Sequence, residues 1–285
     1  MALLVAPPTL TFSRETIQRH AQSLPAAPQI LAGLCELLEN TNTNASEVAE
    51  LIRVDQALAA RVLRLSNSVV FRGATHISSI EEAVTRIGLV EMTRLVGTAT
   101  VAGLFDRTLV IYRLTAERLR ESLLLHALAS EALARSAELD AREAYSGGLL
   151  RAMGMMVLDR IGRGKLAPAE YFDPKRHASY ADWELARFGI TGAELTALLL
   201  EEWRFPPGLV SALDQHATPA DSAMGAVLNL GGAVVAAHGL ALPGDVAHWV
   251  VEPGKLALAR LDEAQLSTAS ECVRAAFERH RAALY

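Results

Sequence analysis

Eight histidines and two cysteines are the side chains most able to hold a metal or act as nucleophiles, and their spacing supports neither use. No two histidines stand three or four residues apart, the interval that would set two imidazoles on one helical face. His126 falls in an apolar run from Leu123 to Leu133 and reads as a satisfied core histidine. Gly162-Arg163-Gly164-Lys165 has the end of a phosphate loop, but the earlier glycine is missing. Leu166 also stands where Ser or Thr would hold magnesium. Tyr145-Ser146-Gly147-Gly148 lacks the residue that a nucleophile elbow needs before its serine, and no His–acid pair is identifiable to activate it. The glycines there suit close helix packing. From Gly147 to Ile161 the chain reads GGLLRAMGMMVLDRI, a buried-looking helical segment with no acid–base or metal-binding pair.

The elements that would position any such group are helices. Asn44 stands three residues before Glu47, Ser79 before Glu82 and Thr191 before Glu194. At that spacing the first side chain caps a backbone N–H while the carboxylate reaches back, and each pair precedes an apolar run. Val48, Leu51 and Ile52 then share a face, as do Ala83, Val84 and Ile87, and Leu195, Leu198, Leu199 and Trp203. Pro206 and Pro207 are expected to end the last of these helices. Leu123 to Leu139 reads as a central buried helix, and Asp262 to Leu284 as an amphipathic one. The charge-free stretch from Ser222 to Gly244 contains Asn229, His238, Pro243 and several glycines, so it reads as a buried helix followed by a turn. The joints rich in Gly, Pro and charge are Gly162–Pro174 and Pro243–Gly254.

A chain of 285 residues can bury on the order of 75 % of its unfolded surface. With 51 % hydrophobic and only 5 % aromatic residues, Leu, Ala and Val must fill the core. The formal net charge of −5, without any basic run, disfavours an electrostatic grip on nucleic acid. Cys35 and Cys272 lie far apart in helical patterns and read as two reduced thiols. The N-terminal MALLVAPPTL has no basic region and is interrupted by Pro7 and Pro8, unlike a signal peptide. These features predict an all-α, cytoplasmic protein without membrane association.

One ordered set of residues carries a resemblance. It runs Leu24-Pro25, Pro28, Ile30, Leu31 and Leu34, then Val54-Asp55-Gln56-Ala57-Leu58, Arg61, Leu63, Leu65 and Asn67-Ser68. Ile77-Ser78-Ser79-Ile80, Ala83, Ile87-Gly88-Leu89 and Leu95-Val96 complete it. In this order the chain resembles the HDOD family, the HD-related output domains of bacterial signalling proteins, over about residues 24–239. The same residues have plain structural roles. Leu58, Val62 and Leu65 form an apolar face beside which Arg61 and Arg64 snorkel to water. Asp55 suits the start of that helix, Asn67-Ser68 its exit, and Gly88 the turn of a helix pair.

The resemblance implies an HD-like multi-helix bundle, either as one domain or as two intimately packed lobes. It divides the chain into an N-terminal segment with a short helix (1–23), the HDOD-like domain (24–239) and a helical extension packed on the body (240–285). It also implies where chemistry would sit. HD phosphohydrolases hold metal through a His on an early helix, an adjacent His–Asp pair and a later Asp. The pair falls here on Arg151-Ala152, and a guanidinium offers a metal no lone pair. Gly192 stands where the family often has His. His216-Ala217 stands where a His–His pair is common, and Gly232 where the last Asp is expected. The implied reading is a module with no enzymatic activity and no cofactor, which signals through a protein partner in trans. Asp55, Arg61, Arg64, Asn67 and Ser68 are framework or candidate contact residues. The alternative is a nucleotide or cyclic-dinucleotide sensor in which Arg151 meets a phosphate; against it stands a salt bridge from Arg151 to Glu143, Asp159 or another acid.

Overall fold

The computed structural model describes residues 27–39, 43–68, 71 and 76–281. The segment 1–23, Leu24-Pro25 and Leu284 lie outside the described residues. Among those described there is no strand, only an isolated antiparallel bridge between Leu109 and Leu114.

Five helices form an N-terminal lobe: α1 (Ala27–Glu39), α2 (Ala45–Arg53), α3 (Gln56–Ser66), α4 (Ile80–Ile87) and α5 (Leu89–Leu104). Their starts are set locally. The Asn44 side chain accepts from the Ser46 and Glu47 amides while Glu47 returns to the Asn44 amide, so the reciprocal cap forms on α2. Asp55 caps α3, accepting from the Ala57 and Leu58 N–H groups at 2.9 and 3.0 Å. At α4 only half of the expected cap forms. Ser79 accepts from the Glu82 amide, but the Glu82 carboxylate accepts from Ser78 instead. Gly88, at φ +85°, takes the turn between α4 and α5 that a side chain would strain.

The second lobe is built on α6 (Ala116–Ser136), against which α7 (Ala141–Leu150), α12 (Ala223–Ala237) and α14 (Glu263–Arg281) pack. Leucine and alanine bury this helix on nearly every side, as a central position requires. The remaining helices are α8 (Met153–Gly162), α9 (Tyr180–Phe188), α10 (Gly192–Glu202), α11 (Pro207–Gln215) and α13 (Pro253–Ala259), with a 3₁₀ turn at Pro168–Glu170. Thr191 and Glu194 form the reciprocal cap on α10. That helix ends at Glu202, ahead of the prolines, and Pro207 starts α11 instead, where its missing N–H costs nothing.

The buried segment from Gly147 to Ile161 is not one helix. It breaks at Arg151-Ala152, between α7 and α8, where the Thr196 hydroxyl accepts from the Gly154 N–H at 2.9 Å and shares its one proton between the carbonyls of Gly192 and Arg151, at 2.7 and 3.1 Å. A side chain on α10 thus stands in for the helical acceptor that the Gly154 amide lacks.

The lobes share one continuous hydrophobic core. An ion network crosses between them: Arg94 of α5 grips Glu131 of α6 with two bonds of 3.0 and 3.1 Å and also holds Glu91 at 2.7 Å. The last turn of α14 joins in, with His280 at 3.0 Å from Glu91 and Arg281 at 2.5 Å from Glu121. Ala269, Val273 and Phe277 bury the apolar face of α14 below them. No helix among the described residues is long and apolar enough to cross a membrane.

Candidate functional site

Arg151 sits at the α7–α8 break with only 5 % of its surface exposed. Burying a guanidinium requires compensation, and three groups converge to give it. Asp245 accepts from Nη1 at 2.7 Å, Ser122 Oγ lies 3.4 Å from Nη2, and the Trp249 ring stacks beneath with its centroid 4.5 Å from Cζ. The acid that pairs Arg151 is therefore Asp245, ninety-four residues away, and neither Glu143 nor Asp159. Asp159 instead accepts from Arg163 at 2.6 Å and from the Ile111 amide at 2.8 Å.

Trp249 occupies the centre of this arrangement. Its indole lies against Gly232, where an added Cβ would stand 2.3 Å from Cδ2 of the ring. An aspartate at 232 and an indole in this place exclude one another. His126 meets the indole in a T-shaped contact, with centroids 5.1 Å apart. Its Nε2–H donates to the Leu228 carbonyl at 2.7 Å, leaving Nδ1 as a buried acceptor without a partner. Asn229 holds the surrounding backbone, its amide reaching the carbonyls of His216, Ala217 and His248 at 2.8, 3.1 and 3.2 Å.

Arg151, Gly192, His216 and Ala217 line a single cleft of about 300 Å³ together with Tyr180, Asp245 and His248. Ala152 is fully buried beside it, and Gly232 lies behind the indole. A histidine at 192 would displace its neighbours, because an added Cβ meets Glu184 Oε1 at 2.9 Å and Met155 Cγ at 3.2 Å. Asp55, Arg61, Arg64, Asn67 and Ser68 belong to the other lobe and do not line the cleft. Asn67 is a structural clasp: its side chain exchanges two 2.8 Å bonds with the Ile77 backbone and donates to the Leu63 carbonyl. Arg61 lies along Gly103 of α5, and Arg64 is exposed.

The electrostatics oppose a metal cation. Burial, and then the nearby Arg151 charge, hold His126 well below the usual imidazole range. His216 is lowered to about 4, chiefly by burial. Neutral imidazoles can ligate, but the Arg151 guanidinium acts on both of them, and Asp245, the carboxylate that also acts on His216, is bound to that guanidinium. Among the described residues no three His, Cys, Asp or Glu side chains converge to hold an ion. Glu184, fully enclosed, accepts from the Tyr112 hydroxyl and the Gly192 amide at 2.6 Å each, and burial pushes its carboxyl up to about 7.

Asp245, Trp249 and Ser122, which surround Arg151, carry no signal in the sequence. The first two lie in a Pro- and Gly-rich stretch that reads locally as a joint, and nothing local shows that it folds back onto Arg151.

Comparison with known proteins agrees with this architecture. The family model of the HDOD domain matches residues 24–219. Among solved structures, an HDOD domain protein of unknown function from Geobacter sulfurreducens superposes with a TM-score of 0.70 at 22 % identity, covering 95 % of this chain and 97 % of that one. A "Putative phosphohydrolase" from Shewanella amazonensis gives 0.65 at 22 % identity, with 94 % and 98 % covered. A "Putative signal transduction protein" from Marinobacter aquaeolei gives 0.68 at 20 % identity over 95 % of this chain, which spans 60 % of that protein. No curated protein matches the chain.

Proposed function

This chain belongs to the HDOD domain family, and from that premise we propose that it is a non-enzymatic signalling module, acting through a protein partner on an HD-like scaffold. One observation carries the reading. At the positions that the family resemblance assigns to metal ligands stand Arg151, paired with Asp245, and Gly232, against which the Trp249 indole packs. A guanidinium supplies positive charge where a metal would need lone pairs, and the ring takes the volume a carboxylate would need. The same packing bears on a nucleotide-sensing role, because Arg151 Nη1 is already engaged by Asp245 and the side chain is 3 % exposed, so a phosphate must compete with that carboxylate.

The test is an assay of the purified chain against cyclic and linear nucleotides with added manganese, iron or magnesium. No turnover above a denatured control is expected. Metal-dependent hydrolysis that disappears in Arg151→Ala would sink the proposal. Affinity capture from native lysate then identifies the partner.

A further inference from the structure

Adjoining the Arg151 cleft, with which it shares Glu194 and Asp214, an open groove of about 1010 Å³ lies between α10 and α11. Both helices present a face of i, i+3, i+4, i+7 residues to it: Glu194, Ala197, Leu198 and Glu201 from α10, and Pro207, Val210, Ser211 and Asp214 from α11. The helices run as a hairpin through Trp203–Pro206, with Phe205 forming part of the groove wall. The middle is therefore apolar and the ends are charged. Glu194, at the start of α10, and Asp214, near the end of α11, share one end. The other end carries Glu201 and Arg204, one charge of each sign.

We propose that this groove is the docking site for an amphipathic helix of the signalling partner, apolar along one face, with a Lys or Arg at the end that meets Glu194 and Asp214. The inference rests on the interaction reading above and names the surface that serves it. Three observations favour this occupant. Leu198, Val210 and Ile190 are only partly covered by the chain's own core, so apolar surface remains for a partner to bury. The groove runs beside an eleven-residue helix, about 16 Å long, and can seat three turns of a second helix as a third member of the packing. Asp214 has no cationic partner among the described residues, and its carboxyl is raised by desolvation and by the neighbouring Glu194 charge. A basic side chain placed there relieves that repulsion. A second copy of this chain fits less well: in a molecule of net charge −5, a two-fold contact sets the Glu194–Asp214 end either against itself or against the Glu201–Arg204 end, which has no net positive charge.

Fluorescein-labelled, alanine-based helical peptides with leucines at i, i+4 and i+7, and either Lys or Glu at both ends, provide the probe. Anisotropy titrations against the full chain are expected to favour the Lys peptide by about fivefold, the scale of one solvent-bordered ion pair. Asp214→Lys should reverse the order, and Val210→Glu should abolish binding of both peptides. Circular dichroism of the two variants confirms that they fold; Asp214 is exposed and Val210 is only half-buried. The proposal is overturned by equal binding of the two peptides, by an unchanged order in Asp214→Lys, or by no binding up to millimolar concentration. Concentration-dependent self-association that Val210→Glu abolishes would also overturn it, by showing a second copy in the groove. Any of these results alongside a silent hydrolysis assay removes the groove and leaves the signalling reading standing. Hydrolysis would remove that reading independently of the peptides.

Discussion

Arg151 depends on a single carboxylate, and this dependence fixes what its neighbours tolerate. Asp245→Ala strands a guanidinium that is 5 % exposed, at an expected cost of about 3–5 kcal/mol in urea unfolding. Arg151→Met removes the charge but keeps most of the packing on Trp249, and Asp245, nearer the surface, can turn to water. Its cost should be markedly smaller, and Asp245→Ala added to it should cost little more. Equal costs for the two single variants would refute the pairing argument. Glu184 gives a pH-dependent counterpart. With its folded pKa near 7, above its ordinary 4.5, the folded protein keeps a proton that the unfolded chain releases first. Stability on this account falls as pH rises from about 4.5 through 7. Glu184→Gln keeps an acceptor for the Gly192 amide and presents its NH₂ to Tyr112, whose hydroxyl then accepts where it had donated. It should stabilise the protein above pH 7, by roughly 1–3 kcal/mol, and change little at pH 4.5.

At the level of helices, caps are legible and breaks are not. Asn44–Glu47 and Thr191–Glu194 form as read because cap and partner lie within one turn of each other. Thr191→Ala should therefore lower stability by about 1 kcal/mol, and Thr191→Ser should restore most of it, as read from thermal melts. The division of Gly147–Ile161 at Arg151-Ala152 escaped that reading, because an unbroken apolar run looks continuous. The group that meets the break, Thr196, lies forty-five residues away. Pro206-Pro207 is legible as a boundary but not in its local sense: α10 ends at Glu202, ahead of both prolines, and Pro207 begins α11. For the site, the family resemblance located Arg151, His216 and Gly232. Asp245 and Trp249, which meet Arg151 and Gly232, lie beyond the 24–219 span matched by the family model and carry no motif.

Across the whole molecule, α14 and the Glu91–Arg94–Glu131 network fasten one lobe to the other. Glu91 is held at about 2: burial works against its ionisation, but bonds from His280 and Arg94 outweigh it. The stability it contributes is fully present above about pH 4.5 and is lost as pH falls towards 2. His216, lowered to about 4, adds to the acid loss between about pH 6.5 and 4, since the unfolded chain takes up its proton first. Glu91→Gln should lower stability at pH 7 and flatten the decline below pH 4.5 in acid unfolding curves. An unchanged acid limb would place the acid sensitivity elsewhere. The contact between Gly232 and Trp249 also bears on design. Placing His, Asp and Asp at 151, 152 and 232, where the family resemblance sets metal ligands, does not build a metal centre while the indole stays, because the new carboxylate and the ring claim the same volume. Such a redesign has to begin with Trp249, a residue outside the positions that the resemblance marks.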